Sequence, residues 1–200
     1  MTDAAAGPTG AAGPGAAGPT GTAPENGRAG AAPPEPVVRR ARSGDVRQIR
    51  DLIETYRGGR RMLSKPLVTL YEDVQEFRVA VHPVDGTVLG CGALHVMWED
   101  LAEIRSVAVH PDWRGHRIGH RIVAELLDTA REIGVSRVFV LTFETRFFGN
   151  FGFVEIDGAP VPHAVYEQLL RSYDEGVAEF LDLERVKPNT LGNVRMLLRL

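Results

Sequence analysis

The stretch Val107–His120 reads Val-Ala-Val-His-Pro-Asp-Trp-Arg-Gly-His-Arg-Ile-Gly-His, and it limits the fold more than any other part of the chain. An apolar strand end runs into a short turn. An amphipathic helix is expected over 116–133, with Ile118, Ile122, Leu126, Ala130 and Ile133 at helical spacing and Gly134 to close it. Such a strand–turn–helix unit belongs in a sheet covered by helices. A helix N-terminus leaves amide donors free and carries partial positive charge, so Arg114–His120 is a candidate anion cradle. Gly115 and Gly119 let a ligand approach the backbone closely.

The remaining patterns build the sheet. Val37–Ala41 predicts a first strand. Ser43 is expected to cap a helix carrying Val46, Ile49, Ile53 and Tyr56, which Gly58-Gly59 would end. Pro66 suits the first turn of a short helix with Leu67, Leu70, Tyr71 and Val74 on one face. Phe77–Val81 and Val88–Trp98 predict a hairpin about Asp85-Gly86, with Ala102–His110 as the next strand. Arg137–Phe143 is apolar and β-branched, a buried strand. A short helix near Arg146–Phe151, a strand Phe153–Ile156, a helix with Tyr166, Leu169, Leu170 and Tyr173, and a last strand Asn193–Leu200 complete the pass. Antiparallel hairpins followed by a βαβ crossover predict a mixed α/β fold, one central mixed sheet flanked by helices.

Residues 1–36 differ. They are almost entirely Ala, Gly, Pro and Thr, with charges only at Asp3, Glu25, Arg28 and Glu35. Such a segment has little to bury against its ordering entropy and is expected to be a disordered tail, leaving 37–200 as the folded domain. A formal charge of −3 invites neither nucleic acid nor an anionic membrane. One cysteine, Cys91, excludes an intramolecular disulfide, and the six histidines show no paired metal-ligand spacing, so no metal is expected. No apolar run reaches membrane-spanning length and no signal-peptide pattern opens the chain, so a cytoplasmic protein is expected. Cys91, between Gly90 and Gly92, reads as a small buried strand residue rather than a nucleophile.

Arg114-x-x-x-x-Gly119 after a Val-x-Val strand resembles the acyl-CoA pyrophosphate loop of the GNAT acetyltransferase superfamily, although Arg117 stands where the first motif glycine usually is. Its amide can still donate, with a backbone angle expected to suit a non-glycine residue. The resemblance covers about residues 37–200. It implies acetyl-CoA as cosubstrate, bound through Val107, Val109, Arg114, Gly115, His116, Arg117, Ile118, Gly119 and His120. It also implies a splay between strands Ala102–His110 and Arg137–Phe143 that takes the pantetheine arm, with Thr142 on its wall. Glu103 falls where such enzymes often hold a general base, and an exposed carboxylate paired with an arginine is the other reading. A backbone N–H near Val107 would steady the oxyanion. Phe148 fills the usual place of a tyrosine acid, so Phe148 and Phe151 are expected to pack on the pantetheine, unless they are simply core.

The segments Thr69–Glu72, Gly90–His95, Phe139–Thr145 and Lys187–Asn193 resemble short, stand-alone amino-acid N-acetyltransferases of actinobacterial type, which make N-acetyl-L-glutamate in arginine synthesis. Larger relatives carry a kinase-like regulatory domain for which 200 residues leave no room. A dicarboxylate acceptor calls for cations. Lys65, Arg105 and Arg195, with Asn193 as a polar partner, are the candidates, and each has an ordinary reading as a solvated surface group. Glutamine or aspartate as acceptor, a protein or small-molecule amine, and a non-catalytic acyl-CoA sensor stay open, as does a homodimer. An amine or protein substrate would favour an acidic or open cleft instead of convergent cations.

Overall fold

A computed structural model describes residues 35–56, 65–186 and 192–200. Strands β1 (Val37–Arg40), β2 (Phe77–Val81), β3 (Val88–Trp98), β4 (Leu101–Val109), β5 (Arg137–Thr142), β6 (Val154–Glu155) and β7 (Val194–Arg199) form one seven-stranded sheet in the order β1-β2-β3-β4-β5-β7-β6. Only β4 and β5 pair in parallel; the other neighbours are antiparallel. The helices are α1 (Val46–Glu54), α2 (Leu67–Glu72), α3 (Ile118–Glu132), α4 (Thr145–Gly149), α5 (His163–Leu169) and α6 (Glu175–Phe180). The mixed sheet flanked by helices is the expected architecture.

Side-chain alternation divides the core into two faces. Ile118, Ile122, Leu126 and Ala130 of α3 pack on Ala102, Ile104, Val138, Val140 and Met196. Val46, Ile49 and Ile53 of α1 and Leu70 of α2 meet Phe77, Val79, Cys91, Ala93 and Ala108. Beyond them, Leu169 of α5 and Val177 and Phe180 of α6 cover Leu101, Phe139 and Leu197. Helix α3 lies tight on β3. A Cβ at Gly90 would stand 2.7 Å from Ile118 Cγ2, and one at Gly92 2.9 Å from Ile122 Cγ2.

Two details depart from the sequence reading. Ser43 does not cap α1; it opens a 3-10 turn. Asp45 closes that corner, accepting the Arg42 N–H at 2.7 Å and both Arg39 guanidinium nitrogens at 2.7 and 3.0 Å. The Arg39 hydrogen bonds hold the Asp45 carboxyl below the usual carboxylate range, against its burial. Helix α6 has no counterpart in the expected element list. Gly58-Gly59 lies outside the described residues.

Residues 1–34 also lie outside them. Strand β1 begins at Val37, and Glu35 has an exposed ion pair with Arg121 at 2.9 Å. We propose that the folded unit begins at about residue 37. An exposed pair contributes about 0–1 kcal/mol, so a chain cut to residues 36–200 is expected to keep its Tm within about 4 °C. A larger fall in a thermal melt would place stabilising contacts upstream.

Candidate active site

The site is built at a fork in the sheet. β4 and β5 pair only at Leu101–Arg137, Ala102–Val138 and Glu103–Phe139. Beyond Glu103 the pairing stops, although β4 runs to Val109 and β5 to Thr142. The fork leaves strand edges whose amides and carbonyls can pair with an extended ligand. Glu103 sits at its apex. Six residues of β4, roughly 20 Å of extended strand, separate Glu103 from the turn that opens α3.

A bulge turns β4 over within the fork. Cys91 pairs with Ala108 and Ala93 with Arg105, so Ser106 and Val107 oppose Gly92 alone. Ser106 takes φ 57°. The inserted residue reverses the alternation. Ala102 and Ile104 face α3, and so do Val107 and Val109, while Ala108 faces α1. A bulge leaves one residue out of the ladder, freeing backbone polar groups beside Val107. The Cys91 thiol donates to Ser106 O at 3.5 Å, and burial pushes it up to about 12, which fits a structural thiol.

At the open end of the fork lies the candidate anion cradle. Gly115 has φ 82° and Arg117 has φ 57°, ψ 15°. Arg117 therefore keeps the left-handed conformation of a glycine, contrary to the expectation of an angle that suits an ordinary residue; L-residues take it at a cost of about 1–2 kcal/mol. Arg121 N–H reaches Arg117 O at 3.0 Å, so the amides of Ile118, Gly119 and His120 precede the helical ladder. Ile118 is buried; His116 and Arg117 are exposed. Arg114 lies over the Tyr56 ring, 5.2 Å from its centroid, and donates to its hydroxyl at 3.3 Å. The Tyr56 hydroxyl donates to Val109 O, tying α1 to the end of β4.

The aromatic expectation needs correction. Phe148 is buried in the core against Phe153 and Phe147, so it is not a free wall for a ligand. Phe147 and Phe151 are half-buried beside the α3 N-terminus. A Cβ at Gly119 would lie 3.6 Å from Phe147 Cζ, and Phe151 stacks on His120 at 4.6 Å. Thr142 is buried at the end of β5, with its hydroxyl accepting the Glu144 N–H at 2.9 Å.

On the opposite face, Glu103 is 4% exposed, and its Oε2 has no hydrogen-bond partner among the described residues. Burial pushes its carboxyl up to about 7, which the Arg105 charge only partly offsets. That value suits proton exchange near neutral pH. Glu179 of α6 is raised to about 8 by burial and by the Glu103 charge, so the two resist ionising together.

The predicted cations do not stand free. Arg105 donates to Asp174 at 2.8 Å, Glu76 at 3.0 Å and Asp73 at 3.2 Å. Lys65 lies 3.6 Å from Asp73. Arg195 is apart, donating to the carbonyl of Phe180 at the far end of α6; burial lowers its pKa. Asn193 directly precedes β7. Lys65, Arg105 and Glu103 are therefore brought together, but amid carboxylates. His95 completes the group, 2.7 Å from Glu76 Oε1. Burial pulls its imidazole down, and the Glu76 hydrogen bond and charge outweigh this and leave it above its ordinary value. The sequence reading missed His95, although a hairpin about Glu99-Asp100 sets it opposite Glu103. It missed Asp174 as well, for which the one local signal is an N-cap residue before Val177 and Phe180.

Residues 46–153 match the acetyltransferase (GNAT) family. The chain belongs to that family. It is an acetyltransferase, with the fold that the resemblance implied. It is 62% identical over 164 residues to a Mycobacterium tuberculosis amino-acid acetyltransferase, across 82% of this chain and 94% of the relative. A solved M. tuberculosis structure in complex with CoA and NLQ superposes with TM-score 0.80 at 62% identity, over 82% of this chain and 99% of that one. N-acetylglutamate synthase from Neisseria gonorrhoeae, complexed with coenzyme A and N-acetyl-glutamate, superposes with TM-score 0.66 at 27% identity, over 82% of this chain and 35% of that one. The likeness to short, stand-alone amino-acid acetyltransferases is thus borne out. Among the described residues no group of three or more metal-ligating side chains converges, and no helix is long and apolar enough to cross a membrane.

Proposed function

We propose that this enzyme moves the acetyl group of acetyl-CoA to the α-amino group of L-glutamate, releasing CoA and N-acetyl-L-glutamate, the opening step of arginine synthesis, in the cytoplasm. The observation that carries the acyl-CoA half is the fork, with free strand edges between the α3 N-terminus and Glu103. The residues fit the cosubstrate. The amides of Ile118, Gly119 and His120 take the pyrophosphate; Arg114, Gly115, His116 and Arg117 form the turn around it; Val107, Val109 and Thr142 border the pantetheine arm; Phe147 and Phe151 flank the entry. Glu103 takes a proton from the acceptor ammonium. The neutral amine attacks the thioester carbonyl, a backbone N–H at the Ser106–Val107 bulge steadies the oxyanion, and collapse expels the CoA thiolate, which takes up the proton that the new amide nitrogen sheds.

The glutamate half rests on the relatives. Local charge does not support it, because Arg105 and Lys65 are matched by this chain's own carboxylates. Those carboxylates favour a second reading, an amine or peptide acceptor without a second carboxylate. Release of CoA across L-glutamate, L-glutamine, L-aspartate and a peptide with a free N-terminus separates them. Turnover is expected with L-glutamate. Turnover with the peptide alone would replace the amino-acid reading, and acetyl-CoA binding without turnover on any of the four would place the acceptor outside this set.

A further inference from the structure

Helix α6 is packed against Glu103 in a way that the expected transfer chemistry does not require. A Cβ built at Gly176 would overlap Glu103 Oε2 and lie 2.8 Å from Glu103 Cδ and 3.0 Å from Asp174 Oδ1. One Cα–H of Gly176 therefore points at the carboxyl oxygen that no hydrogen bond satisfies. Gly176 has an ordinary helical backbone, so its lack of a side chain answers to space and not to a turn. A glycine inside a helix is otherwise unfavourable by about 1 kcal/mol relative to alanine.

The same helix is tied down at its start by one side chain with two tasks. Asp174 Oδ1 accepts the Val177 N–H at 3.1 Å and caps α6. Asp174 Oδ2 accepts from Arg105 Nη1 at 2.8 Å. Arg105 lies two residues beyond Glu103 on β4 and is itself fixed from the other side by Glu76 and Asp73.

We propose that Gly176 is a positioning residue: its missing side chain lets the α6 backbone close over the Glu103 carboxyl, and the Asp174–Arg105 ion pair latches it there. This deepens the reading of Glu103 as the base and rests on that reading for its catalytic consequence. Closing the helix removes water from the carboxyl, and desolvation disfavours the charged form. The charged groups that act on Glu103 are Arg105 on β4, His95 on β3, Lys65 before α2, and Asp174 and Glu179 at α6; Asp73 and Glu76 pair with Arg105 and His95, and Glu175 acts on Glu179. Among the described residues, Arg105 alone brings a full positive charge within 4 Å, at 3.9 Å from Oε2, and three carboxylates already share it. The cover is thus the element that sets how dry the base is.

The test is a carboxyl NMR titration of Glu103 in the ligand-free full chain, wild type against Gly176→Ala. Alanine adds no charge, so a shift of Glu103 reports geometry alone. The midpoint is expected to fall by about one unit or more toward the ordinary value near 4.3, as the carboxyl or the helix gives way to water. A fall of less than about half a unit overturns the proposal. If Gly176→Ala does not fold, Asp174→Asn decides. Asparagine caps a helix as well as aspartate does, but it brings no charge to Arg105. Amides of 175–181 are expected to exchange about tenfold faster or more, with the α3 amides unchanged. Unaltered exchange there overturns the latch. Neither readout uses turnover. Normal turnover in Glu103→Gln would remove the base and leave these results standing.

Discussion

Glu103→Gln is expected to lower kcat by about 100-fold or more at neutral pH, the usual scale for losing a general base. Glutamine keeps the shape and fills the same pocket between β4 and α6. It cannot take the proton. With the carboxyl pushed up to about 7 by burial, the wild-type rate should climb with pH through that value as the base ionises. The variant should lack this limb. Its rate should recover in part at high pH, where the acceptor amine loses its proton unaided. The acetyl-CoA KM should hardly change, since the cradle at α3 is roughly 20 Å of strand away. Wild-type turnover at neutral pH in the variant would dismiss the role.

The same raised value has a stability consequence with a defined sign. A carboxyl whose folded pKa lies above its unfolded one favours folding most when both states are protonated. That contribution is fully present below about 4.5 and is lost as pH rises through about 7. Above neutrality the ionised, buried Glu103 works against the fold. With Glu103 in the proposed role of base, function and stability pull in opposite directions at this position, as is common where a site holds a charge away from water.

How much of this the sequence made legible depended on the range of the interaction. Strands Phe77–Val81 and Val88–Trp98 are found at the bounds the sequence predicts, because both carry apolar side chains on each face and an Asp85-Gly86 turn between them. The long helix and its Gly134 stop were equally clear, Gly134 taking φ 84°. The strand–turn–helix unit of the proposed anion cradle was legible because it is local: a strand end, a turn and a helix start within fourteen residues. The acceptor side was not. Arg105 finds Asp174 sixty-nine residues on and Asp73 thirty-two residues back, contacts that only the fold brings about. The Ser106 bulge left no mark in a sequence that reads as plain strand, and it decides which face Val107 joins. Helix α6 escaped notice because it is short and holds Gly176 at its second position, where a helix former would be expected. The wall that glycine builds over Glu103 explains its presence there.

Gly119→Pro is expected to weaken CoA binding by about 10- to 100-fold, as read by calorimetry. Gly119 is the second residue of α3, where the ladder has not yet begun and the amide faces outward from the helix end. Proline removes that donor. It also disfavours the helical conformation of the preceding Ile118, which is buried and anchors the helix on β3. A hydrogen bond to a charged group contributes about 1.5–3 kcal/mol, which sets the expected range. Gly119→Ala separates the donor from the space. A Cβ there would stand 3.5 Å from Val109 Cγ2 and 3.6 Å from Phe147 Cζ, ordinary contact distances, and the N–H remains. The alanine variant should thus bind CoA nearly as the parent does, while the proline variant should not. If both lose affinity alike, the ligand needs the bare backbone at 119 more than its amide. If neither does, the pyrophosphate is held elsewhere, and the fork loses its anchor at the α3 end.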